Sequence, residues 1–430
     1  MLVKVLGYAL LVLGASLWAQ SGQPIITKIT IEGNEATRPH IIAREVSQRL
    51  GQPFDSTLAR EDRNRLYNLG IFERVDLTLR PISTREAELL VEVVETIRVV
   101  PLPLIYHLDD LGWSYGGQIS YLNFRGLNQR VDFSATFGAE KTYTLLFADP
   151  WLLGDQIGVT GWLLRVFRSH PVYNFRTQIR DLEVGLLKAS RDKTLSLRAA
   201  TSLERRSIRW LSINKGPDPP DSIRVAYNHR QWQSKFQLLW RTTDIWRDPT
   251  RGVRLSLFFS PVLGLDADSP TFSNLRVDGS WFVGLRKGLM PLVLGMGLSL
   301  SQYDRETPLH IKQYVGKQWV RGYHVDPDEN PGVPGLQEAT SVARASVELR
   351  QTIMPRQIIR QLEVGLSGVL FVDSGWGYGP GQPLQEAQPM MGYGLGLRVF
   401  LPVLHVVAVD AGLNPYGGGV HYRVRFSQAF

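Results

Sequence analysis

Met391-Gly392-Tyr393-Gly394-Leu395-Gly396-Leu397-Arg398-Val399 sets Met, Tyr, Leu, Leu and Val on odd positions and Gly, Gly, Gly and Arg on even ones. Successive side chains of a strand point to opposite faces, so this stretch has one apolar face and one that is polar or bare. The alternation returns within 340–354, where Ala343, Ala345, Val347 and Leu349 interleave with Arg344, Ser346, Glu348 and Arg350. At the C-terminus Val420, Tyr422, Val424, Phe426 and Phe430 share one face, and His421, Arg423, Arg425 and Ser427 the other. Lipid outside and a wet lumen inside demand this pattern. Antiparallel sheets of soluble proteins also alternate, so the number of strands has to decide. Sixteen such segments run from 114–124, through a short one at 310–316, to 420–430. Spread over residues 112–430, they allow about 20 residues per strand and connection, where a membrane-crossing strand needs about 9–11. The expected fold is a transmembrane β-barrel of about 16 antiparallel strands spanning 112–430.

The chain has 430 residues and a mean hydropathy of −0.10, too low for a bundle of membrane helices. The absence of cysteine excludes disulfides, thiolate metal sites and cysteine nucleophiles. The net charge of +8 permits nucleic acid or anionic lipid as partner without choosing between them. Residues 1–20 combine Lys4, an apolar run from Val5 to Trp18 and the small Ala19, the layout of a secretory signal peptide. Cleavage is expected near Gln20 or after Ser21. Export makes nucleic acid a poor partner.

Residues 24–96 have a different grammar. An alternating strand ends in Glu32-Gly33-Asn34, and Pro39 opens a helical pattern through Ile41, Ile42, Val46 and Leu50 that stops at Gly51. Asp55-Ser56 starts a second helix, closed by Gly70, and two strands follow at 72–79 and 87–94. The run Leu66-Tyr67-Asn68-Leu69-Gly70-Ile71-Phe72-Glu73-Arg74-Val75 resembles the marker of a POTRA (polypeptide-transport-associated) domain, with Gly70, Phe72 and Val75 as its signature positions. A three-stranded sheet leaves edges that accept an incoming strand; which edge serves is open at this level. Residues 97–111, with Val99-Val100-Pro101-Leu102-Pro103, read as a linker.

The whole mature chain resembles the BamA/TamA-type outer-membrane protein assembly family, with a bacterial surface antigen-type barrel and a single POTRA domain. Val320-Arg321-Gly322-Tyr323 is similar to that family's VRGF/Y loop motif. Phe371-Val372-Asp373-Ser374-Gly375 is similar to its F-x-D-x-G (Phe371, Asp373, Gly375), and Asp248-Pro249-Thr250-Arg251-Gly252 to its D-P-x-x-G turn. The resemblance implies that Arg321 enters the lumen and meets acids of neighbouring strands. Parity independently puts Glu348 and Asp373 on polar faces, and an arginine fork suits two carboxylates. Tyr422, Val424, Phe426 and Phe430 match a terminal outer-membrane targeting strand. The resemblance further implies a weak seam between the first and last strands, here 114–124 and 420–430.

Two patterns mimic enzymes. Gly112-Trp113-Ser114-Tyr115-Gly116 satisfies G-x-S-x-G, but that motif needs a helix after it and a strand pattern follows instead. Asp373-Ser374-Gly375 faintly resembles a protease nucleophile, yet Ser374 falls on the lipid face by parity. Gly392, Gly394 and Gly396 are not a dinucleotide fingerprint, and they more simply mark close packing against an inward-folded loop. No catalytic, metal or cofactor site is expected. The expected activity is assembly, insertion or translocation of other proteins at the outer membrane, with the POTRA domain in the periplasm. Partners would be outer-membrane lipid, unfolded client proteins and a periplasmic chaperone or accessory lipoprotein. The alternative is a passive channel with the loop as a plug.

Overall fold

The structure is a computed structural model; it describes residues 23–108, 112–152, 157–169, 175–190, 192, 194–210, 228–246, 248–304, 307, 313–315, 319–323, 337–359, 362–379, 389–401, 405–417 and 419–425. Residues 1–20, read above as a signal peptide, and Phe426 and Phe430 lie outside the described residues. The chain divides into two compact units, one through Thr96 and one from Ile97 onward.

The first unit runs β1 (Ile25–Glu32), α1 (Pro39–Ala43), α2 (Ser56–Asn68), β2 (Phe72–Pro81) and β3 (Glu86–Glu95). β3 is central, parallel to β1 and antiparallel to β2. Ile26, Ile41, Ile42, Leu66, Phe72, Val75, Leu89 and Val91 form its buried core. Asp55 caps α2, accepting from the Thr57 and Leu58 amides, and Gly70 follows with φ +73°.

Two details depart from the expected pattern. The helix begun at Pro39 ends at Ala43, not near Leu50. The buried Asp62 carboxylate of α2 takes the Ser47 and Gln48 amides, so those donors are satisfied without another helical turn. In β1 a bulge between Ile26 and Lys28 turns Ile26 into the core and leaves Ile25 exposed. A bridge from Ile25 to Pro53 covers the start of the β1 edge. β2 pairs on one side only among the described residues.

The second unit is the barrel. Its strands are β4 (Val99–Leu108), β5 (Gly112–Phe124), β6 (Gln129–Gly138), β7 (Lys141–Asp149), β8 (Ile157–Ser169), β9 (Phe175–Ala189), β10 (Leu195–Trp210), β11 (Asn228–Arg241), β12 (Gly252–Gly264), β13 (Phe272–Arg286), β14 (Leu292–Tyr303), β17 (Ser341–Ile359), β18 (Leu362–Tyr378), β19 (Met390–Leu401), β20 (His405–Leu413) and β21 (His421–Arg425), with a small ribbon of β15 (Gln313–Val315) and β16 (Gln337–Ala339) between β14 and β17. The sixteen long strands make one antiparallel sheet in sequence order from β4 to β21. Its outer face is apolar: on β19, Met391, Tyr393, Leu395 and Leu397 are exposed while Gly392, Gly396 and Arg398 are buried. So many exposed large apolar side chains suit a lipid surround, not water.

The strand number is as expected, but two members differ. The segment read as a linker contains β4, paired with β5 along its length. The Leu122 amide donates to the Arg98 carbonyl, so even-numbered backbone groups of β4 face β5 and odd-numbered ones face away. Pro101 and Pro103 therefore lie where their missing N–H breaks no bond to β5, the position an edge strand permits. The segment at 310–316, counted as a strand of the barrel, contributes only the three residues of β15 to the separate ribbon, too few to cross a bilayer. Consequently the sheet begins at β4, not at 114–124, while β21, within the expected 420–430, forms its other end. β5 is an interior strand, held by β4 and β6. No pairing between β4 and β21 occurs among the described residues.

Candidate functional site

Between β14 and β17 the chain folds back so that Val320-Arg321-Gly322-Tyr323 is fully buried. Val320 and Tyr323 join Val315, Ala339, Val342 and Met390 in one apolar cluster, with Trp319 against it. That cluster seats the loop, and the backbone then threads a narrow slot. Gly322 has φ +98°, and a Cβ there would lie 2.5 Å from the Leu413 carbonyl oxygen. Opposite, a Cβ on Gly392 would lie 1.7 Å from the Arg321 carbonyl oxygen. Both positions therefore need glycine. Of the three alternate glycines on β19, only Gly392 meets the loop among the described residues. Gly394 approaches the Ala411 backbone and the Phe371 ring, and Gly396 the Asp410 carboxylate. Asn414 donates to the Gly322 carbonyl at 2.7 Å, and the Tyr323 hydroxyl bridges to the backbone of Met391 at 3.0 Å.

Arg321 carries the charge into this slot. Its Nε and Nη2 donate to the two oxygens of Asp373 at 2.6 and 2.7 Å, a bidentate fork. Its Nη1 donates to Glu348 Oε1 at 2.6 Å and stands 3.5 Å from Asp410 Oδ1. The guanidinium lies 3.6 Å above the Phe371 ring centroid, a cation–π contact on the face left free by in-plane hydrogen bonds. The acids have further partners. Ser346 Oγ donates to Asp373 at 2.5 Å. Arg350 and Arg398 reach Glu348 at 2.9 and 3.3 Å, and Arg398 also reaches Asp410 at 2.7 Å. Arg344 stands 3.8 Å from Asp373.

Three carboxylates and four guanidinium groups from β17, β18, β19, β20 and the loop thus form one lumenal network. Glu348, Asp373 and Asp410 are 0% exposed, and Arg321 and Arg398 1%. Charges so buried are tolerable because each is hydrogen-bonded to an opposite one. Such a network adds little net stability over an apolar core, and it enforces one geometry because removing any member strands the others. Its local chemistry is to pin the loop.

Of the residues singled out in the sequence, the structure brings together Val320, Arg321, Gly322, Tyr323, Glu348, Phe371, Asp373 and Gly375, whose Cα faces Val320 and Val315. Tyr422 and Val424 point outward on β21, 67% and 58% exposed. Gly70, Phe72 and Val75 sit in the first unit, Phe72 and Val75 in its core. Gly112–Gly116 lies inside strand β5, not at the strand-to-helix turn a nucleophile elbow needs. Ser374 shares the outward parity of Val372. Sequence reading missed Asp410, Arg398 and Arg350 as members of the network. The available signal was Asp410, the one acid in a strand otherwise of His, Val, Ala, Gly and Leu.

A sixteen-stranded barrel whose lumen is locked to a returning loop, preceded in the chain by a small βααββ domain, defines a class: outer-membrane barrels with POTRA domains. A family model described as the Omp85 superfamily domain matches residues 123–426, and the POTRA model, described as a surface antigen variable number repeat, matches residues 24–96. The chain belongs to the Omp85 superfamily. Its fold is similar to BamA from Haemophilus ducreyi lacking POTRA domains 1-3, at a TM-score of 0.56 and 14% identity over 93% of this chain and 84% of that one. It is similar also to CdiB from Escherichia coli (TM-score 0.59, 13% identity, 94% and 75% of the two chains) and to CdiB from Acinetobacter baumannii (0.52, 14%, 91% and 70%). Its place is the outer membrane, with the POTRA domain on the periplasmic side.

Proposed function

We propose that this protein inserts or translocates client proteins at the outer membrane, guiding them as strands from the POTRA domain to the barrel seam. The observation that carries the reading is the donor-poor free edge of β4. Its odd-numbered backbone groups face away from β5, and Pro101 and Pro103 remove two consecutive donors there. A ladder closed on that edge lacks two hydrogen bonds, each worth about 0.5–1.5 kcal/mol net, so the seam opens at lower cost than a junction of equal length with all its donors. An opened edge templates an incoming strand through backbone bonds. The β2 edge of the POTRA domain, paired on one side only, is the receiving edge in this scheme.

Val320–Tyr323, clasped by Glu348 and Asp373, acts as the fixed lumenal strut that holds the β17–β20 wall beside the seam while the seam moves. Unfolded client proteins and outer-membrane lipid are the partners this scheme requires, and a periplasmic chaperone or accessory lipoprotein would deliver clients to the POTRA edge. Depletion of the protein followed by outer-membrane proteomics tests the proposal. Loss of one or more barrel or exported proteins is the expected result. An unchanged proteome together with high single-channel conductance of the purified protein points to a passive channel and refutes it.

A further inference from the structure

Four neighbouring strands carry arginine in one cross-strand row on the face turned away from the lumen. Arg165 of β8 opposes Arg180 of β9, Arg180 opposes Arg205 of β10, and Arg205 opposes Arg230 of β11. The next row on the same face is Leu163, Leu182, Leu203 and Trp232, all exposed. In the other direction, beyond Gln178, Ser207 and Asn228, Arg176 opposes Arg209. All six arginines are exposed.

Like charges directly opposite one another destabilise a sheet. Only Arg230 has its charge met, by Asp266 at 2.8 Å. Arg165, Arg176, Arg180, Arg205 and Arg209 have no acidic partner among the described residues. Between them lies a cavity of about 220 Å³ bounded by Arg180, Arg205 and Arg209 together with Gln178, Ser207 and Asn228. Three of these cations line the polar cavity and Arg165 and Arg176 flank it, an arrangement that calls for an anion carrying several charges.

Position on the barrel says where that anion resides. From Leu195 to Arg205, β10 rises ten residues; at about 3.3 Å each and a tilt near 40° this is roughly 25 Å, the height of a barrel's apolar band. The row therefore sits at a headgroup level, where outward charge costs little. The POTRA domain is periplasmic and leads directly into β4, so β4 starts at the periplasmic side. β8 and β10 run the same way as β4 in the antiparallel order, which puts their C-terminal ends, and the arginines, at the outer leaflet.

We propose that this face binds a phosphorylated lipid of the outer leaflet bearing more than one phosphate group, with its phosphates in the arginine-lined cavity and its acyl chains along the Leu163–Leu182–Leu203–Trp232 row. Guanidinium forks engage phosphate oxygens two at a time, and the bound anion relieves the repulsion along the row.

The test uses the full-length protein in detergent micelles, titrated with diphosphoryl lipid A or its dephosphorylated form and read by native mass spectrometry. Arg180→Gln with Arg205→Gln is expected to weaken binding of the diphosphoryl lipid about tenfold or more, with each single variant intermediate. Lys188→Gln, an outward cation near the other end of β9, is expected to leave it unchanged. In lipid-free detergent the double variant should unfold at the same or a higher temperature, because it removes opposed like charges. Equal binding of the dephosphorylated lipid, undiminished affinity of the double variant, or complete displacement by millimolar inorganic phosphate would each overturn the proposal.

Discussion

Replacing Arg321 by alanine probes the lumenal network at its centre. The change deletes a bidentate fork on Asp373, a 2.6 Å bond to Glu348 and the cation over Phe371. The two acids are then left in unequal positions. Glu348 keeps Arg350 and Arg398 at 2.9 and 3.3 Å, whereas Asp373 keeps Ser346, the residue-321 backbone amide at 3.2 Å and, as its nearest cation, Arg344 at 3.8 Å. Asp373 is thus the stranded charge, and breaking a buried pair this way costs about 3–5 kcal/mol. The sixteen-strand ladder does not pass through Arg321, so the barrel persists and the loss falls on the loop. Arg321→Ala should therefore lower the temperature at which heat-modifiable migration on gels is lost and expose residues 319–323 to protease. Adding Asp373→Asn should recover a large part of the loss, since the uncompensated carboxylate is gone. Arg321→Lys should recover less, because an ammonium cannot make the fork. A variant with wild-type migration and a protease-resistant loop would refute the clasp. Strictly additive losses in the double variant would refute the assignment of Asp373 as the stranded partner.

Other perturbations isolate single elements. Gly392→Val places a side chain where the Arg321 carbonyl now sits, and it should release the loop to protease as fully as Arg321→Ala with every network charge still present; a protected loop would contradict the packing argument. Pro101→Val with Pro103→Val restores two donors to the free edge of β4, and it should raise the unfolding midpoint and slow client insertion together. A change in neither would sink the weak-seam reading. In the POTRA domain, Asp62→Ala removes the acceptor of the Ser47 and Gln48 amides and should cost ~2–4 kcal/mol, seen as accelerated hydrogen exchange at those two amides; unchanged protection would show that another group caps them.

Local rules made much of this protein readable. Period-two alternation in Met391–Val399 identified both faces of β19 without any neighbour in view. The POTRA elements followed from Pro39, Asp55 and Gly70, residues whose backbone preferences act over a few positions. Helix α1 was overestimated because its end is set by Asp62, a carboxylate from the next helix. β4 was missed for a related reason. Proline argues against a strand in general, and it is harmless only when the lost donor faces a free edge, which depends on the order of strands.

The lumenal site divides along the same line. Arg321, Glu348 and Asp373 were legible because loop motif and parity each narrowed the choice. Arg398 and Asp410 were not, because their membership depends on β19 and β20 stacking in a register that places Ala408 opposite Arg398 and lets the guanidinium reach Asp410 on the same face. The outward arginines are a sharper case: positions 165, 180, 205 and 230 are separated by 15, 25 and 25 residues, and only connection lengths and register bring them opposite one another. Sequence by itself determined the chemical character of each strand face, since a side chain's direction along a strand depends on parity alone. The tertiary structure decided which charges meet and which strand edge stays open, since those depend on register between strands set by connections far apart in the chain.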